Sequence, residues 1–417
     1  MKDKTKVAVV GCGPAGLMAA TVLSQAGLSV NIFDTKGSAG CKFLVAGRGG
    51  LNLTHSEHTE AFAARYGNNA EIFKKLLAVF SPDDLRAWLR GLGVETFIGT
   101  SGRVFPKDAT AHDILKIWVE TLSRRGVIFH YHHRWQGFAK TDTPLFLTEP
   151  GELLEFPAKA LLLALGGASW PQTGSDGGWT SFLAARDVHL EPFRPANCGI
   201  EVAWSEHFRT RFSGKPLKNL LLRCGDQQAI GDVVVTTHGL EGSPVYALSA
   251  TIRDLLKKDS PVTLFLDLKR DLPLEHLQKK LEHPRGKESL ANFLRKAIRL
   301  TGPAYTLLRE MCSPEDLKNP TILAGCIKNL PVPVINTRPL AEAISSAGGI
   351  TFPEVDENLM LRKLPGVFVA GEMLDWEAPT GGYLLQGAFS TGYQAAQGLL
   401  KWLGRTHPTQ PPPSPNS

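Results

Sequence analysis

The chain has 417 residues, 43% of them hydrophobic and 21% charged, with 46 Lys and Arg against 40 Asp and Glu for a formal charge of +6. Such a chain has the composition of an ordinary globular protein of two or three domains, which excludes collagen-like, wholly disordered, small disulfide-stapled and membrane-spanning classes. The charge excess is too small to announce a nucleic-acid binder by itself.

In chain order, Val7 to Val10 is a short apolar run of the kind buried on both faces of a sheet, and Gly11 to Gly16 makes a turn. Leu17 to Gln25 continues as a helix that stops at Gly27, and Val30 to Phe33 is a second strand ending at Asp34. A helix-rich stretch runs from about Glu57 to Leu92, with Ser81-Pro82-Asp83-Asp84 as a helix start. Val127 to His133 and Leu145 to Phe156 read as strands around turns, and Ala160 to Leu165 as a buried strand running into Gly166-Gly167.

From Asn197 the character changes. The strands Leu220 to Cys224, Ile230 to Thr237 and Val262 to Leu268 alternate with charged helices over Leu274 to Glu282 and Ser289 to Thr301. This predicts an inserted domain at 197–331, flanked by the two parts of a first domain at 1–196 and 332–405. In the second part Gly366 to Ala370 is a buried strand, and Gly381 to Lys401 carries a long helix. The tail 406–417 is rich in proline and is expected to be disordered.

The cysteines Cys12, Cys41, Cys198, Cys224, Cys312 and Cys326 form no C-x-x-C pair and read as reduced thiols of a cytoplasmic protein. Lys2, Lys4 and Lys6 before an apolar stretch are similar to a signal peptide, but glycines and a proline interrupt that stretch. No apolar run is long enough to span a bilayer.

Gly11, Gly13 and Gly16, with Ala15 in the same turn, form G-x-G-x-x-G between a predicted strand and a predicted helix. The first glycine permits a tight turn, the second admits a pyrophosphate, and the third brings helix against strand. Asp34 ends the next strand, where an acid accepts hydrogen bonds from ribose hydroxyls. Together they point to a dinucleotide. Downstream, Gly371-Glu372 follows a buried strand, Asp375 comes next, and Gly381-Gly382-Tyr383 opens a helix. Two readings stand for this second set: carboxylate and helix N-terminus along a flavin's ribityl chain and N1–C2 edge, or an ordinary glycine-rich loop.

The segments GCGPAG (11–16), KFLVAGRGGLNLTH (42–55), GRVFP (102–106), LGGASWPQTGSDG (165–177), THGLEGSP (237–244) and VAGEMLDWEAPTGGYLLQGAFSTG (369–392) are together similar to the BaiN/YhiN-type FAD flavoproteins of the glutathione-reductase-like superfamily. The resemblance covers about residues 5 to 402. It implies an α/β fold, with a discontinuous, three-layer, Rossmann-like FAD-binding domain and an inserted, mostly β substrate domain that carries some helices and covers the flavin. By the same resemblance, Gly11, Gly13, Gly16 and Asp34 hold the ADP half of FAD. Lys42, Gly47 and Asn52 sit in a loop near the pyrophosphate and isoalloxazine, and Gly371, Glu372, Gly381 and Gly382 line the ribityl chain and pyrimidine edge. Many relatives read Gly-Arg-Cys-Asn where this chain has Gly49-Gly50-Leu51-Asn52, so a proton donor resting on that thiol is absent here.

His238 is a candidate general acid or a loop histidine bonded to nearby backbone. Arg103 either binds a substrate phosphate or carbonyl or pairs with a carboxylate, and Tyr383 either stacks near the flavin or fills core. His130, His132 and His133 lie on one predicted strand with no acid to complete a metal site, and no metal is expected.

Residues 269–299 hold nine Lys and Arg against four Asp and Glu. They are either a solvated helical face, with Leu274, Leu277, Leu281, Phe293 and Leu294 as its buried side, or a track for RNA phosphates. Without a second G-x-G-x-x-G, NAD(P)H would visit transiently as reductant, or electrons would come from another protein. The expected reaction is hydride transfer from reduced FAD to an electron-poor C=C bond, and activities of the family fit it: uridine to dihydrouridine in ribosomal RNA, favoured by the basic insertion, or reduction of small conjugated carbonyls such as bile-acid intermediates. A non-catalytic RNA-binding flavoprotein is the competing class, and the oligomeric state is open.

Overall fold

The apolar runs of the first domain become a parallel sheet in the computed structural model, which describes residues 6–405 apart from 141 and 150. Lys6–Val10 pairs in parallel with Ser29–Phe33 on one side and Ala160–Leu163 on the other. Ile128–His130 and Val367–Val369 form the two edges. Val7, Ala8, Val9 and Val10 are sealed from solvent, as befits a central parallel strand covered on both faces.

Helices Pro14–Gln25 and Tyr383–Trp402, from opposite ends of the sequence, pack closely together. A Cβ on Gly392 would stand 2.3 Å from the carbonyl oxygen of Ala15, so only glycine allows this approach. The meander His133–Phe138, Pro144–Thr148, Leu153–Glu155 supplies the third layer, and Phe146 stacks on Phe33 of the sheet with ring centroids 4.0 Å apart.

Helices Thr59–Ala64, Ala70–Val79 and Pro82–Gly91 fill the expected helix-rich stretch. Ser81 and Asp84 close the last of these with a capping box, as Thr110 and Asp113 do for Ala111–Arg124. The strand expected over Val127 to His133 is two strands. His132 bends the backbone into the left-handed region at φ 59°, and His133 starts the meander.

The chain divides into two units, one of residues 1–194 with 345–417 and one of residues 195–344. The stretch 332–344 therefore falls in the second unit rather than with the returning first domain. Its strands Leu330–Val334 and Asn336–Thr337 pair with Val262–Asp267 and Ile200–Glu201. Pro331 and Pro333 point outward from an edge strand, a position where a missing N–H is harmless.

The second unit is a seven-stranded antiparallel sheet with its own apolar core, built on Leu220, Leu222, Val233, Val235, Leu264 and Leu266. Helices including Ser243–Leu256, Leu274–Leu281, Leu290–Ile298 and Pro320–Lys328 accompany it. Buried Asp267 is neutralised by Lys328 at 2.5 Å, and the ammonium also donates to the carbonyls of Lys269 and Leu272. The proline-rich tail lies outside the described residues.

Candidate functional site

Four strands of the parallel sheet end on the same side, delivering Gly11, Asp34, Ala164 to Gly167 and Ala370-Gly371 to one edge. The carboxyl edge of an open α/β sheet is where ligands bind.

The glycine turn there is sterically required at two of its three positions. A Cβ on Gly11, at φ 104°, would stand 2.2 Å from the carbonyl oxygen of Ala164, and one on Gly16 would stand 1.9 Å from that of Gly11. Gly13 differs. A Cβ there would meet nothing within 4 Å, so its bareness serves something other than the protein's own packing. Gly13 is also the N-cap of helix Pro14–Gln25, which has no side-chain cap and no acid in its first turn. Helix Tyr383–Trp402 is likewise uncapped by any side chain behind Gly382. Two uncapped helix N-termini, beside the capping boxes of Pro82–Gly91 and Ala111–Arg124 in the same unit, leave amide donors and positive dipole ends for an anionic ligand.

Asp34 accepts the Cys12 amide at 2.7 Å and the Lys36 amide at 2.8 Å. Burial pushes its carboxyl up, and those two amides pull it partway back. Both oxygens keep a lone pair for ribose hydroxyls. Ala15 packs between elements, 3.0 Å from the Cβ position of Gly371. Burial also raises the Cys12 thiol well above its ordinary value, which makes it inert.

Lys42 and Glu372, 330 positions apart, meet at 2.7 Å, and the same ammonium donates to Ser169 at 2.7 Å. Their side chains are only 26% and 16% exposed. Ser346 accepts the Ala168 amide and lies 1.9 Å from the Cβ position of Gly167. Gly371, at φ 75°, has its amide held by Thr391.

Asn52 brings a buried Oδ1 that lacks a hydrogen-bond partner, and nearby Thr54 a buried Oγ1 in the same state. Orphaned acceptors of this kind are rare unless a ligand completes them. Gly47 instead makes room for Ala111, whose Cβ would lie 2.4 Å from a Cβ on Gly47.

Gly382, at φ 98°, is pressed against the Thr54 backbone, where a Cβ would come within 2.5 Å. Gly381, at φ 126°, runs beside Arg103, whose Nε is 3.7 Å from the Gly381 Cβ position. The Arg103 guanidinium makes no hydrogen bond or ion pair among the described residues. Tyr383 is buried: its ring stacks on His55 at 5.3 Å, Phe62 meets it edge-on, and its phenol is pushed up by burial. Asp375 accepts the Gly348 amide at 2.9 Å, which ties its loop to strand Ser345–Ile350.

His238 lies in the second unit, in the exposed turn before Gly239–Glu241. Its main-chain oxygen accepts the Val202 amide while its ring has no partner among the described residues. The three clustered histidines are spoken for separately: His130 bonds Asn31, His132 faces Glu149, and His133 bonds the Tyr131 carbonyl. Among the described residues no group of three His, Cys, Asp or Glu could hold a metal, and no helix is long and apolar enough to cross a membrane.

Sequence reasoning did not single out Ser169, Ser346 or Gly348-Gly349. The signal present was the small-residue strand Ser345–Ile350, buried at all six positions and so tightly packed that a Cβ on Gly348 would stand 2.3 Å from the Pro192 carbonyl oxygen.

A family model described as the HI0933-like protein Rossmann domain matches residues 5–398. The chain is similar to the 3-dehydro-bile acid delta(4,6)-reductase of Clostridium scindens, 24% identical over 94% of this chain and 98% of that protein. It is similar to the ribosomal RNA dihydrouridine synthase of Escherichia coli, 24% identical over 94% of this chain and 97% of that one. Its fold is shared with the 3-ketosteroid-delta4-(5alpha)-dehydrogenase of Rhodococcus jostii RHA1, at a TM-score of 0.52 and 15% identity over 95% of this chain and 97% of the other.

Proposed function

This chain belongs to the HI0933-like Rossmann-domain family, and on that premise we propose that it is a FAD-dependent oxidoreductase that reduces an electron-poor C=C bond, with a uridine of ribosomal RNA as substrate. The observation that carries the cofactor is the open cradle at Gly13, set at an uncapped helix N-terminus, and the orphaned Oδ1 of Asn52 adds a second unsatisfied group. These residues fit a dinucleotide: amides for the pyrophosphate, Asp34 for the ribose, and a carboxylate held by Lys42 for the ribityl hydroxyls.

FAD, when bound, supplies a hydride to the bond being reduced. The protein's own groups do the rest. The N-terminus of helix Tyr383–Trp402 favours negative charge at the pyrimidine edge. Lys42 donates to both the Glu372 carboxylate and the Ser169 hydroxyl, which fixes the carboxylate in place. Arg103, whose guanidinium is unengaged, orients a substrate carbonyl or phosphate, and His238 delivers the proton that completes the saturated bond. NAD(P)H is the transient reductant.

A dihydrouridine synthase and a bile-acid delta(4,6)-reductase act on one kind of bond, a C=C conjugated to a carbonyl. The RNA reading is supported by the charge of the second unit, where 21 Lys and Arg stand against 16 Asp and Glu. The relative from Clostridium scindens keeps small conjugated carbonyl compounds as the second reading.

The test is to delete the gene and map dihydrouridine across ribosomal RNA by mass spectrometry. One dihydrouridine should vanish, to be restored by the wild-type gene and not by Gly13→Asp, which fills the cradle with a carboxylate. An unchanged map in cells that express the protein would sink the RNA reading.

A further inference from the structure

The second unit holds a cavity of its own, about 230 Å³, lined by Glu201, Trp204, Arg209, Thr237, His238 and Ile335 among others. Its composition is odd for a surface hollow. Trp204 is half-buried, with its indole N–H aimed at the Gly239 carbonyl at 3.3 Å and its ring tilted against Phe208 at 4.9 Å, so the ring is held in place. Ile335 leaves 47% of its surface exposed. The side chains of Arg209, Thr237 and His238 are exposed and make no hydrogen bond or ion pair among the described residues. Glu201 shares the Arg338 guanidinium with Glu342, each at 2.7 Å, which leaves Arg209 as the cation of the lining without a partner among the described residues.

A fixed aromatic ring, an exposed aliphatic wall, a free guanidinium and two free hydrogen-bonding groups complement a ligand that is planar, polar along one edge and anionic. We propose that this cavity binds one nucleotide of an RNA strand, the base packing on Trp204 and Ile335, its polar edge meeting Thr237 and His238, and its phosphate meeting Arg209. Arg211, two positions on along helix Glu206–Phe212, is turned about 200° away round the helix axis, so Arg209 alone supplies the phosphate contact at this cavity. The inference rests on the RNA reading above and adds to it the residues that choose the substrate. Trp204 and Arg209 hold the nucleotide by stacking and charge, and Thr237 and His238, at the polar edge of the base, choose which base is held.

The measurement is fluorescence anisotropy of a labelled single-stranded RNA carrying a uridine, titrated with the flavin-loaded full chain across a potassium chloride series. Trp204→Leu should weaken binding about tenfold at every salt concentration, because stacking carries no counterion release. Arg209→Gln should make the slope of log affinity against log salt shallower by about 0.7, one phosphate contact on a single strand, and Arg209→Lys should retain the slope. Flavin content and melting temperature equal to wild type certify that the variants are folded. Binding unchanged in both Trp204→Leu and Arg209→Gln overturns the cavity while leaving RNA reduction standing. Wild type that binds no RNA overturns both. Uridine monophosphate bound in place of the strand makes the cavity a mononucleotide site and overturns the proposal as stated.

Discussion

The two units place their chemistry on different parts of the chain. The first is almost neutral, with 25 Lys and Arg against 24 Asp and Glu, and its candidate site is made largely of backbone: glycines pressed against carbonyls, uncapped helix ends, and amides turned toward Asp34. The second holds nearly all of the excess positive charge, and its cavity is lined by side chains, of which Arg209, Thr237 and His238 have no partner among the described residues. A backbone site tolerates almost no substitution at the positions that shape it, whereas a side-chain site can be retuned one residue at a time while its sheet stays intact. That contrast gives a physical reason for one fold to serve relatives with substrates as unlike as a bile acid and an RNA.

The comparison breaks most visibly at the glycines. Gly16→Ala forces a Cβ to 1.9 Å from a backbone oxygen that has nowhere to go, and we expect about 5 kcal/mol or more of destabilisation, seen as failure to recover soluble flavoprotein. Gly13→Ala, three residues away, adds the same methyl to open space at φ −82°. It should leave the melting temperature of the flavin-free protein unchanged and weaken flavin binding about tenfold or more, measured by fluorescence titration. Equal damage from the two changes would mean that Gly13 is packing rather than a cradle.

In the second unit, Lys328→Met strands the buried Asp267 carboxylate and should cost about 3–5 kcal/mol. Scanning calorimetry should show this loss in one transition while flavin stays bound. Simultaneous loss of flavin would erase the distinction between the units.

The gentlest probe is acid. Because burial raises the Asp34 carboxyl above its unfolded value, folding takes up a proton there, and the stability this group contributes is present at low pH and lost as pH climbs through the raised value. Flavin binding runs the other way, since ribose hydroxyls need the carboxylate. Flavin should therefore be released on acidification at a higher pH than an ordinary aspartate would give, and Asp34→Asn should flatten that dependence in a flavin-fluorescence titration.

How much could be read from the sequence follows the same division. The Rossmann entry was plain because strand, glycine turn, helix and closing acid each leave a mark at fixed spacing. The start at Ser81-Pro82 was equally legible, since a capping box is written in adjacent residues. Gly371-Glu372 and Gly381-Gly382 could be picked out in sequence, but the meeting of Glu372 with Lys42, Gly382 with Thr54 and Gly381 with Arg103 is a matter of tertiary contact across roughly 280 to 330 residues. Ser169 and Ser346 went unremarked because small residues carry no periodicity. The cavity around Trp204 was invisible for a related reason, since its walls come from separated segments that include the two-residue strand Ile200–Glu201. Where the insertion ends is decided by strand pairing, Leu330–Val334 with Val262–Asp267 and Asn336–Thr337 with Ile200–Glu201, which leaves no local mark in the sequence.

The bridge between Lys42 and Glu372, and the contact of Gly392 with Ala15, also bear on the order of events at the ribosome. The central strand and the glycine turn are synthesised first, yet an edge strand and the long helix that complete their unit leave the exit tunnel last. All of 195–344 has by then emerged with every strand of its own sheet. The half-built dinucleotide fold must therefore wait through some 200 residues of translation with its apolar helix face uncovered. Cofactor capture thus waits for the last helix, and a truncation that removes it should prove far more damaging than its distance from the glycine turn suggests.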